Sequence, residues 1–283
     1  MGNDWLKVRD PSVLDRLGRT RHALFDFDGT LSLLRQGWET VMHPLMVEAI
    51  CGTLAPTPPG RGHPPTPEIE QLVSDYVDRS TGILTILQME WLAETVRRQG
   101  LVSNPLSARE YKAIYLERLM GSVGRRIDQV EQGQVPADER MVPGARDFIA
   151  ALHARGVRLY LASGTDHADV AREAAVLGMA EYFEGRIYGA LDHAQEAHSK
   201  ERVIQRILDE NRLSGDELLV AGDGPVEIRE AHARQALALG VASDEVSRSG
   251  WNPRKVERLT AAGADLLVAD FRYAKQMVGM LVG

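Results

Sequence analysis

The sequence predicts an α/β protein in which a doubly wound parallel sheet is interrupted by an all-helical insertion. Short, continuously apolar runs alternate with helical periodicity in the second half of the chain, a pattern typical of parallel strands buried on both faces. Strand signals vanish between residues 34 and 140, whereas helical periodicity persists there. We therefore predict an α/β core of residues 1–33 and 141–283 and a helical cap domain of residues 34–140.

The first core strand carries the residues around which the other motifs are arranged. The apolar run of residues 23–25 leads into Asp26 and Asp28, which Gly29 and Thr30 follow. Carboxylates this close to a buried strand are costly unless a cation or a reaction uses them. The alternative is a strand followed by an Asp-Gly turn, in which the two carboxylates cap local backbone.

The insertion contains three segments with an apolar face. These segments span residues 67–78, 82–98 and 107–132. Gly121 and Gly124 are expected to bend or interrupt the third segment. Six prolines between Pro56 and Pro67 favour an extended loop before the first segment.

Four apolar strands are predicted after residue 141, each separated from the next by a helix. They lie near residues 157–162, 218–221, 237–241 and 266–269. Ser163 directly follows the first of them, and Asp223 follows the second. Ligands of open parallel sheets bind at the carboxyl ends of the strands, so we expect these two residues to converge with Asp26 and Asp28.

The composition narrows the class of protein and its partners. A chain of 283 residues can form a core domain with a smaller second domain. The formal net charge of -7 disfavours a nucleic acid or an anionic membrane as the main partner. Because Cys51 is the one cysteine and no apolar run is long enough to span a membrane, we expect a cytoplasmic protein.

Taken together and in this order, the motifs resemble those of the haloacid dehalogenase-like hydrolases, most of which are Mg-dependent phosphatases. The matching residues are Asp26-Phe27-Asp28-Gly29-Thr30 for the first motif, Ser163-Gly164-Thr165 for the second, Lys200 for the third, and Gly222-Asp223-Gly224 with Glu227 for the fourth. The resemblance covers about residues 20–33 and 141–270. It implies a Rossmann-like core, a helical cap after the first motif, and Mg²⁺ as the cofactor.

The resemblance also implies roles for the acidic residues. Asp26 would attack phosphorus and form an aspartyl phosphate, and Asp28 would protonate the leaving oxygen and later take a proton from water. Mg²⁺ would be bound by the Asp26 carboxylate, the Asp28 backbone carbonyl and Asp223. Glu227 stands where many members have aspartate, so it is expected either to reach a metal-bound water or to act as a first-turn glutamate favoured by the helix dipole.

Four further residues are candidates for contacting the phosphate or the rest of the substrate. The Ser163 hydroxyl and the backbone N–H groups of Gly164 and Thr165 precede a helix and suit an anion, although a helix cap is the alternative for Ser163. Lys200 would neutralise the phosphate and Asp26, with an ordinary surface lysine as the alternative. Arg35 follows the first motif and carries a guanidinium that suits phosphate or carboxylate, with a solvated hinge arginine as the alternative.

Within the cap, three neighbouring residues are weaker candidates for substrate contacts. They are Gln88, Glu90 and Trp91, of which Trp91 is interpreted as a core residue. The expected function is a Mg-dependent phosphatase that acts on a small phosphorylated metabolite, such as a sugar phosphate. A phosphomutase uses the same two acids and is the nearest alternative, and a non-catalytic phosphometabolite-binding protein is the alternative outside enzymes. A dehalogenase is disfavoured, because it has no leaving oxygen for Asp28 to protonate.

Overall fold

The computed structural model describes residues 5–54, 62–191 and 199–283. The strands are β1 (Leu6–Val8), β2 (His22–Phe25), β3 (Arg158–Asp166), β4 (Ile187–Ala190), β5 (Leu218–Gly222), β6 (Leu237–Val241) and β7 (Leu266–Val268). The helices are α1 (Glu39–Cys51), α2 (Pro67–Arg79), α3 (Thr85–Gln99), α4 (Ala108–Glu131), α5 (Ala145–Ala154), α6 (His167–Val176), α7 (Ala180–Phe183), α8 (Lys200–Asn211), α9 (Pro225–Ala233), α10 (Pro253–Ala262) and α11 (Ala274–Val282). Among these described helices, none is both long and apolar enough to cross a membrane.

The seven described strands form one sheet in the order β1-β7-β6-β5-β2-β3-β4. All neighbouring pairs are parallel except β1 and β7. The chain proceeds from β2 to β3 and β4 on one side, and then returns to add β5, β6 and β7 on the other side. The strand order therefore reverses at β2, which is the position where open parallel sheets form a crevice.

Alternating side chains of β2 pack on opposite faces of the sheet. Leu24 belongs to a core that includes Ile204 of α8 and Leu259 of α10. Phe25 instead meets the ring of Phe148 of α5 edge to face, with 5.9 Å between the ring centroids. Helices therefore cover both faces of the sheet, which confirms the predicted doubly wound architecture.

The chain divides into two compact units, Met1–Gln36 with Arg126–Gly283, and Gly37–Arg125. In the described residues of the second unit all regular structure is helical, and α1 packs against α2 and α3. The role of the segment 34–140 as a cap domain stays a prediction. Residues 55–61, which include the first part of the predicted proline-rich loop, lie outside the described residues.

Three local features differ from the predictions. Helix α4 runs without interruption through Gly121 and Gly124, because the roughly 1 kcal/mol that each glycine costs is outweighed by buried side chains such as Leu119. The helical spacing of Val13, Leu14 and Leu17 predicts a helical segment before β2, but the described residues 5–20 contain the edge strand β1 and a short 3-10 turn. Strand β3 continues beyond Ala162 with a shift in register, so Ser163 lies within the strand.

Candidate active site

The loop after β2 brings Asp26 and Asp28 to the carboxyl edge of the sheet. The Asp26 N–H donates to the Ala221 carbonyl of β5 at 2.9 Å, which continues the strand pairing by one residue. The chain then turns sharply, and the N–H groups of Thr30, Leu31 and Ser32 all donate to the Phe27 carbonyl. Both carboxylates are therefore fixed by backbone hydrogen bonds at the predicted crevice.

Lys200 lies between two carboxylates at the start of α8. Its Nζ is 2.7 Å from Asp26 Oδ1 and 2.9 Å from Glu227 Oε2, and all three side chains are buried. The second carboxylate oxygen of Glu227 accepts a hydrogen bond from the Gly224 N–H at 2.9 Å. A Cβ on Gly222 would lie 2.1 Å from Glu227 Oε1, so glycine is required for this close approach. Glu227 therefore combines the predicted position in the fourth motif with a helix-capping role.

The Asp28 side chain lies beside the second motif. Its Oδ2 accepts hydrogen bonds from Thr165 Oγ1 at 3.0 Å and from Ser163 Oγ at 3.3 Å. The Thr165 N–H donates to Ser163 Oγ at 3.1 Å, which orients that hydroxyl. The other oxygen, Asp28 Oδ1, is buried and has no hydrogen-bond partner among the described residues. The first and second motifs therefore meet as predicted, and Asp28 retains one carboxylate oxygen without a partner.

Asp223 at the end of β5 is held by the loop after β2 and by α10. Its N–H donates to Thr30 Oγ1 at 3.0 Å. Its carbonyl accepts from Arg258 Nη2 at 2.9 Å, and its Oδ2 is 2.8 Å from the Lys255 Nζ. Lys255 also lies 2.7 Å from Glu245 Oε1. The Asp223 carboxylate thus forms a buried ion pair with Lys255, separate from the ion pair between Asp26 and Lys200.

Lys255, Arg258 and Glu245 are the residues of this site that the sequence analysis did not identify. They follow the last motif by 18 residues or more, and no pattern links them to it. One signal was present: Lys255 occupies the same helical stripe as Leu259 and Ala262, which are the other buried residues of α10. A lysine on an apolar helix face requires a buried carboxylate partner.

The buried acids of the site differ in their pKa values because their cationic partners differ. Burial raises the pKa of Asp26 well above its ordinary value, although Lys200 opposes this effect. Burial also raises the pKa of Asp28, which Arg35 and the two hydroxyl groups oppose. Burial acts on Asp223 in the same direction, but Lys255 and Arg258 outweigh it and lower the pKa of that carboxyl. The site therefore favours a charged Asp223 more than a charged Asp26.

The acidic groups fit a divalent cation with oxygen ligands. Oxygens of Asp26, Asp223 and Glu227 lie within 4.8 Å of one another, and all three residues are buried. Asp28 and Glu245 bring the number of carboxylates to five, whereas Lys200, Lys255 and Arg258 are the cations that contact this group. Carboxylates therefore outnumber the cations that contact them among the described residues, and a divalent cation would offset this excess of acidic groups.

Arg35 is buried in an ion pair rather than exposed at a hinge. Its Nη2 lies 2.6 Å from Glu173 Oε1 and 3.1 Å from Asp169 Oδ2, and both acids are on α6. Its Nε also donates to the Glu173 carboxylate. These carboxylates contact the Nε and Nη2 atoms of Arg35, and a substrate contact by Arg35 stays a prediction.

The three weaker candidates lie on α3 within the helical unit. Gln88 is buried and its side-chain amide donates to the Ser80 hydroxyl at 3.2 Å. Trp91 is half-buried and stacks on Tyr76 with 3.6 Å between the ring centroids. Glu90 is exposed. The described contacts of Gln88 and Trp91 are with other residues of the helical unit.

Comparisons with known proteins identify the family and similar folds. Residues 20–233 match a family model described as a haloacid dehalogenase-like hydrolase. A search of curated proteins gives no match.

Solved structures with a similar fold include a predicted phosphatase from Clostridium acetobutylicum (16% identity, 92% of this chain and 99% of that chain covered, TM-score 0.57) and a predicted phosphoglycolate phosphatase from Haemophilus somnus (18%, 92% and 98%, TM-score 0.55). A β-phosphoglucomutase from Clostridium difficile is also similar (11%, 86% and 98%, TM-score 0.52). At these identities the similarity concerns the fold alone.

Proposed function

This chain belongs to the haloacid dehalogenase-like hydrolases, and on that basis we propose that it is a Mg²⁺-dependent phosphatase of a small phosphorylated metabolite. One observation carries the proposal: Asp26 and Asp28 lie at the switch point of the sheet with different partners. Asp26 is 2.7 Å from an ammonium group, and Asp28 lies beside two hydroxyl groups. The ammonium group favours the ionised form of Asp26, because it opposes the effect of burial on the pKa of that carboxyl, and the second arrangement suits a group that gains and loses a proton.

The proposed reaction has two steps. An Asp26 carboxylate oxygen attacks phosphorus, the bond between phosphorus and the leaving oxygen breaks, and Asp28 gives its proton to that oxygen. Asp28 then takes a proton from water, whose oxygen attacks phosphorus and releases inorganic phosphate from Asp26. Because burial raises the pKa of Asp28, this carboxyl can hold the proton that the first step requires.

Lys200 and Ser163 are proposed to bind the oxygens of the transferring phosphoryl group. The Lys200 Nζ is in contact with the proposed nucleophile, so it can offset charge on both reacting groups. Ser163 and the backbone N–H of Gly164 lie before α6, whose N-terminus favours an anion. The N–H of Thr165 already donates to Ser163, so we assign this residue to holding Ser163 and Asp28 in place.

Mg²⁺ would be held by the Asp26 and Asp223 carboxylates and by the backbone carbonyl of Asp28. When bound, it supplies the positive charge that offsets repulsion between these acids and an incoming phosphate. Both oxygens of Glu227 have protein partners, Gly224 and Lys200. We therefore propose that Glu227 acts mainly by positioning Lys200, and that any contact with Mg²⁺ passes through a water molecule.

Replacement of the nucleophile tests the proposed function directly. Asp26→Asn keeps the shape of the side chain but lowers its nucleophilicity, so we expect phosphate release to fall by at least about 10³-fold. The measurement is release of inorganic phosphate from p-nitrophenyl phosphate and from a panel of phosphorylated sugars, polyols and hydroxy acids, with Mg²⁺ present. Asp147→Asn, an exposed aspartate on α5, is the matched control and should retain wild-type activity.

The same assay separates the alternatives. Retained phosphate release by Asp26→Asn would refute the assignment of the nucleophile. Formation of an isomeric sugar phosphate in place of inorganic phosphate would identify a phosphomutase, whose fold this chain shares at low identity. Binding of phosphorylated compounds by the wild-type protein without turnover of any substrate would identify a binding protein.

A further inference from the structure

The proposed mechanism leaves one buried ion pair of the site without a role. Lys255 of α10 is 7% exposed, and its Nζ lies 2.8 Å from Asp223 Oδ2 and 2.7 Å from Glu245 Oε1. Removing an ammonium group and two carboxylates from water is costly. Apolar side chains of similar volume in the same place are often as stable or more stable. A cluster of this kind at the end of β5 therefore calls for a functional explanation.

The neighbouring contacts show that the cluster holds Asp223 in one orientation. Arg258, one turn along the same helix, donates to the Asp223 backbone carbonyl, so α10 contacts both the main chain and the side chain of this residue. Gly29, with a φ of +74°, packs so closely that a Cβ there would lie 2.4 Å from Asp223 Oδ2. The Ser243 hydroxyl donates to the Gly29 carbonyl at 3.2 Å, which links the loop after β6 to the loop after β2.

A lysine that contacts a metal-binding acid creates an electrostatic conflict, because its positive charge repels a cation. Glu245 resolves this conflict by its position. It contacts the same Nζ as Asp223 does, so the lysine charge is offset by a carboxylate outside the group of acids within 4.8 Å of one another. Lys255 and Glu245 together are neutral, and Asp223 keeps its full negative charge.

We propose that Lys255 and Glu245 form a positioning pair for Asp223, in which the lysine orients the carboxylate and the glutamate preserves its affinity for a divalent cation. This inference rests on the proposed function, since that function assigns Asp223 to the metal. Neither residue touches the substrate or the reacting atoms in this account. Their effect is exerted on metal affinity through Asp223, as is usual for residues that orient metal ligands.

Mn²⁺ affinity, measured without substrate by the electron paramagnetic resonance signal of the free ion, tests the proposal. Glu245→Gln leaves the lysine charge without its partner, and we expect the dissociation constant for Mn²⁺ to rise by about 30-fold or more. The double variant Lys255→Met with Glu245→Gln has the same net charge as wild type but lacks the positioning contact, and about a 10-fold rise is expected. Glu210→Gln, an exposed glutamate on α8, makes the same charge change away from the site and should bind Mn²⁺ as wild type does.

Wild-type Mn²⁺ affinity in either variant would overturn the proposal. Glu245→Gln exchanges one oxygen atom for an amide nitrogen, so this single variant provides the test even if the double variant does not fold. Circular dichroism establishes whether each variant is folded. A wild-type protein that binds Mn²⁺ but releases no phosphate would refute the proposed function and leave the measured effect of the pair intact. A wild-type protein that does not bind Mn²⁺ would overturn both.

Discussion

Strand β2 carries an ionisable residue at each of its ends, and the two ends differ in the charge of their surroundings. At the carboxyl end, Asp26 lies 2.7 Å from the Lys200 ammonium. At the amino end, His22 is 7% exposed and its Nδ1 lies 3.0 Å from the Tyr160 hydroxyl. Burial lowers the pKa of His22 to about 4, and nearby arginines such as Arg158 contribute to this shift.

The difference shows how the fold treats buried charge. At the amino end a neutral imidazole meets a neutral hydroxyl group, so no buried ion is created. At the carboxyl end the chain buries acids and then supplies Lys200 and Lys255 as partners, although apolar side chains would serve stability as well or better. Charge is thus retained at the end of β2 where the proposed chemistry needs it and is avoided at the other end.

Removing the cation from the carboxyl end is expected to have the largest effect. Lys200→Met leaves Asp26 and Glu227 buried without their shared partner, so phosphate release should fall by about 10³-fold. The same change should lower the free energy of unfolding by about 3–5 kcal/mol, because uncompensated carboxylates remain buried. Steady-state phosphate release measures the loss of activity, and urea unfolding measures the loss of stability.

The conservative variant Lys200→Arg serves as the control for charge. It should keep most of the stability and only part of the activity, because guanidinium retains the charge but not the position of a single Nζ. If Lys200→Met released phosphate at the wild-type rate, the contrast between the two ends of β2 would carry no functional meaning.

His22 at the amino end of β2 is expected to make the stability depend on pH. This effect is smaller than that of Lys200→Met. The pKa of His22 is about 4 in the folded protein, compared with 6.5 ordinarily, so the unfolded chain binds more protons between these values. The free energy of unfolding should therefore fall as the pH decreases from 6.5 to 4, by at most about 3 kcal/mol from this group. Urea unfolding of wild type and His22→Asn at several pH values measures this difference.

The variant should show a shallower loss of stability with decreasing pH than wild type does. His63→Asn, which changes an exposed histidine of the helical unit, is the control for the loss of an imidazole. Equal slopes for wild type and His22→Asn would show that His22 is not kept neutral by its surroundings.

The sequence predicted the parts of the site that lie toward the carboxyl ends of strands. Asp26, Ser163 and Asp223 come at the carboxyl ends of apolar runs, and the parallel sheet brings such ends to one edge. Lys200 was predicted from the order of the motifs, and the structure places it in contact with Asp26. Geometry of this kind can be predicted because a short segment fixes both the strand and the residue that follows it.

The remaining features depend on contacts between distant segments. Lys255 contacts Asp223, and Glu245 contacts Lys255, only because β6 pairs with β5 and α10 packs against β6, and neither residue belongs to a motif. The partners of Arg35 lie on α6, more than 130 residues away along the chain. Charge pairs across such separations are set by tertiary packing: the place of Lys255 on an apolar helix face indicates that it is buried, but no local pattern identifies its partner.

The covalent intermediate at Asp26 is the central claim, and chemical trapping tests it most directly. Wild-type protein is mixed with Mg²⁺ and p-nitrophenyl phosphate, quenched in acid during turnover, reduced with borohydride and digested for mass spectrometry, with Asp26→Asn treated in parallel. An aspartyl phosphate is reduced to homoserine, so we predict homoserine at position 26 in the wild-type protein and none in the variant. Homoserine at another aspartate, or turnover with unmodified Asp26, would contradict the account.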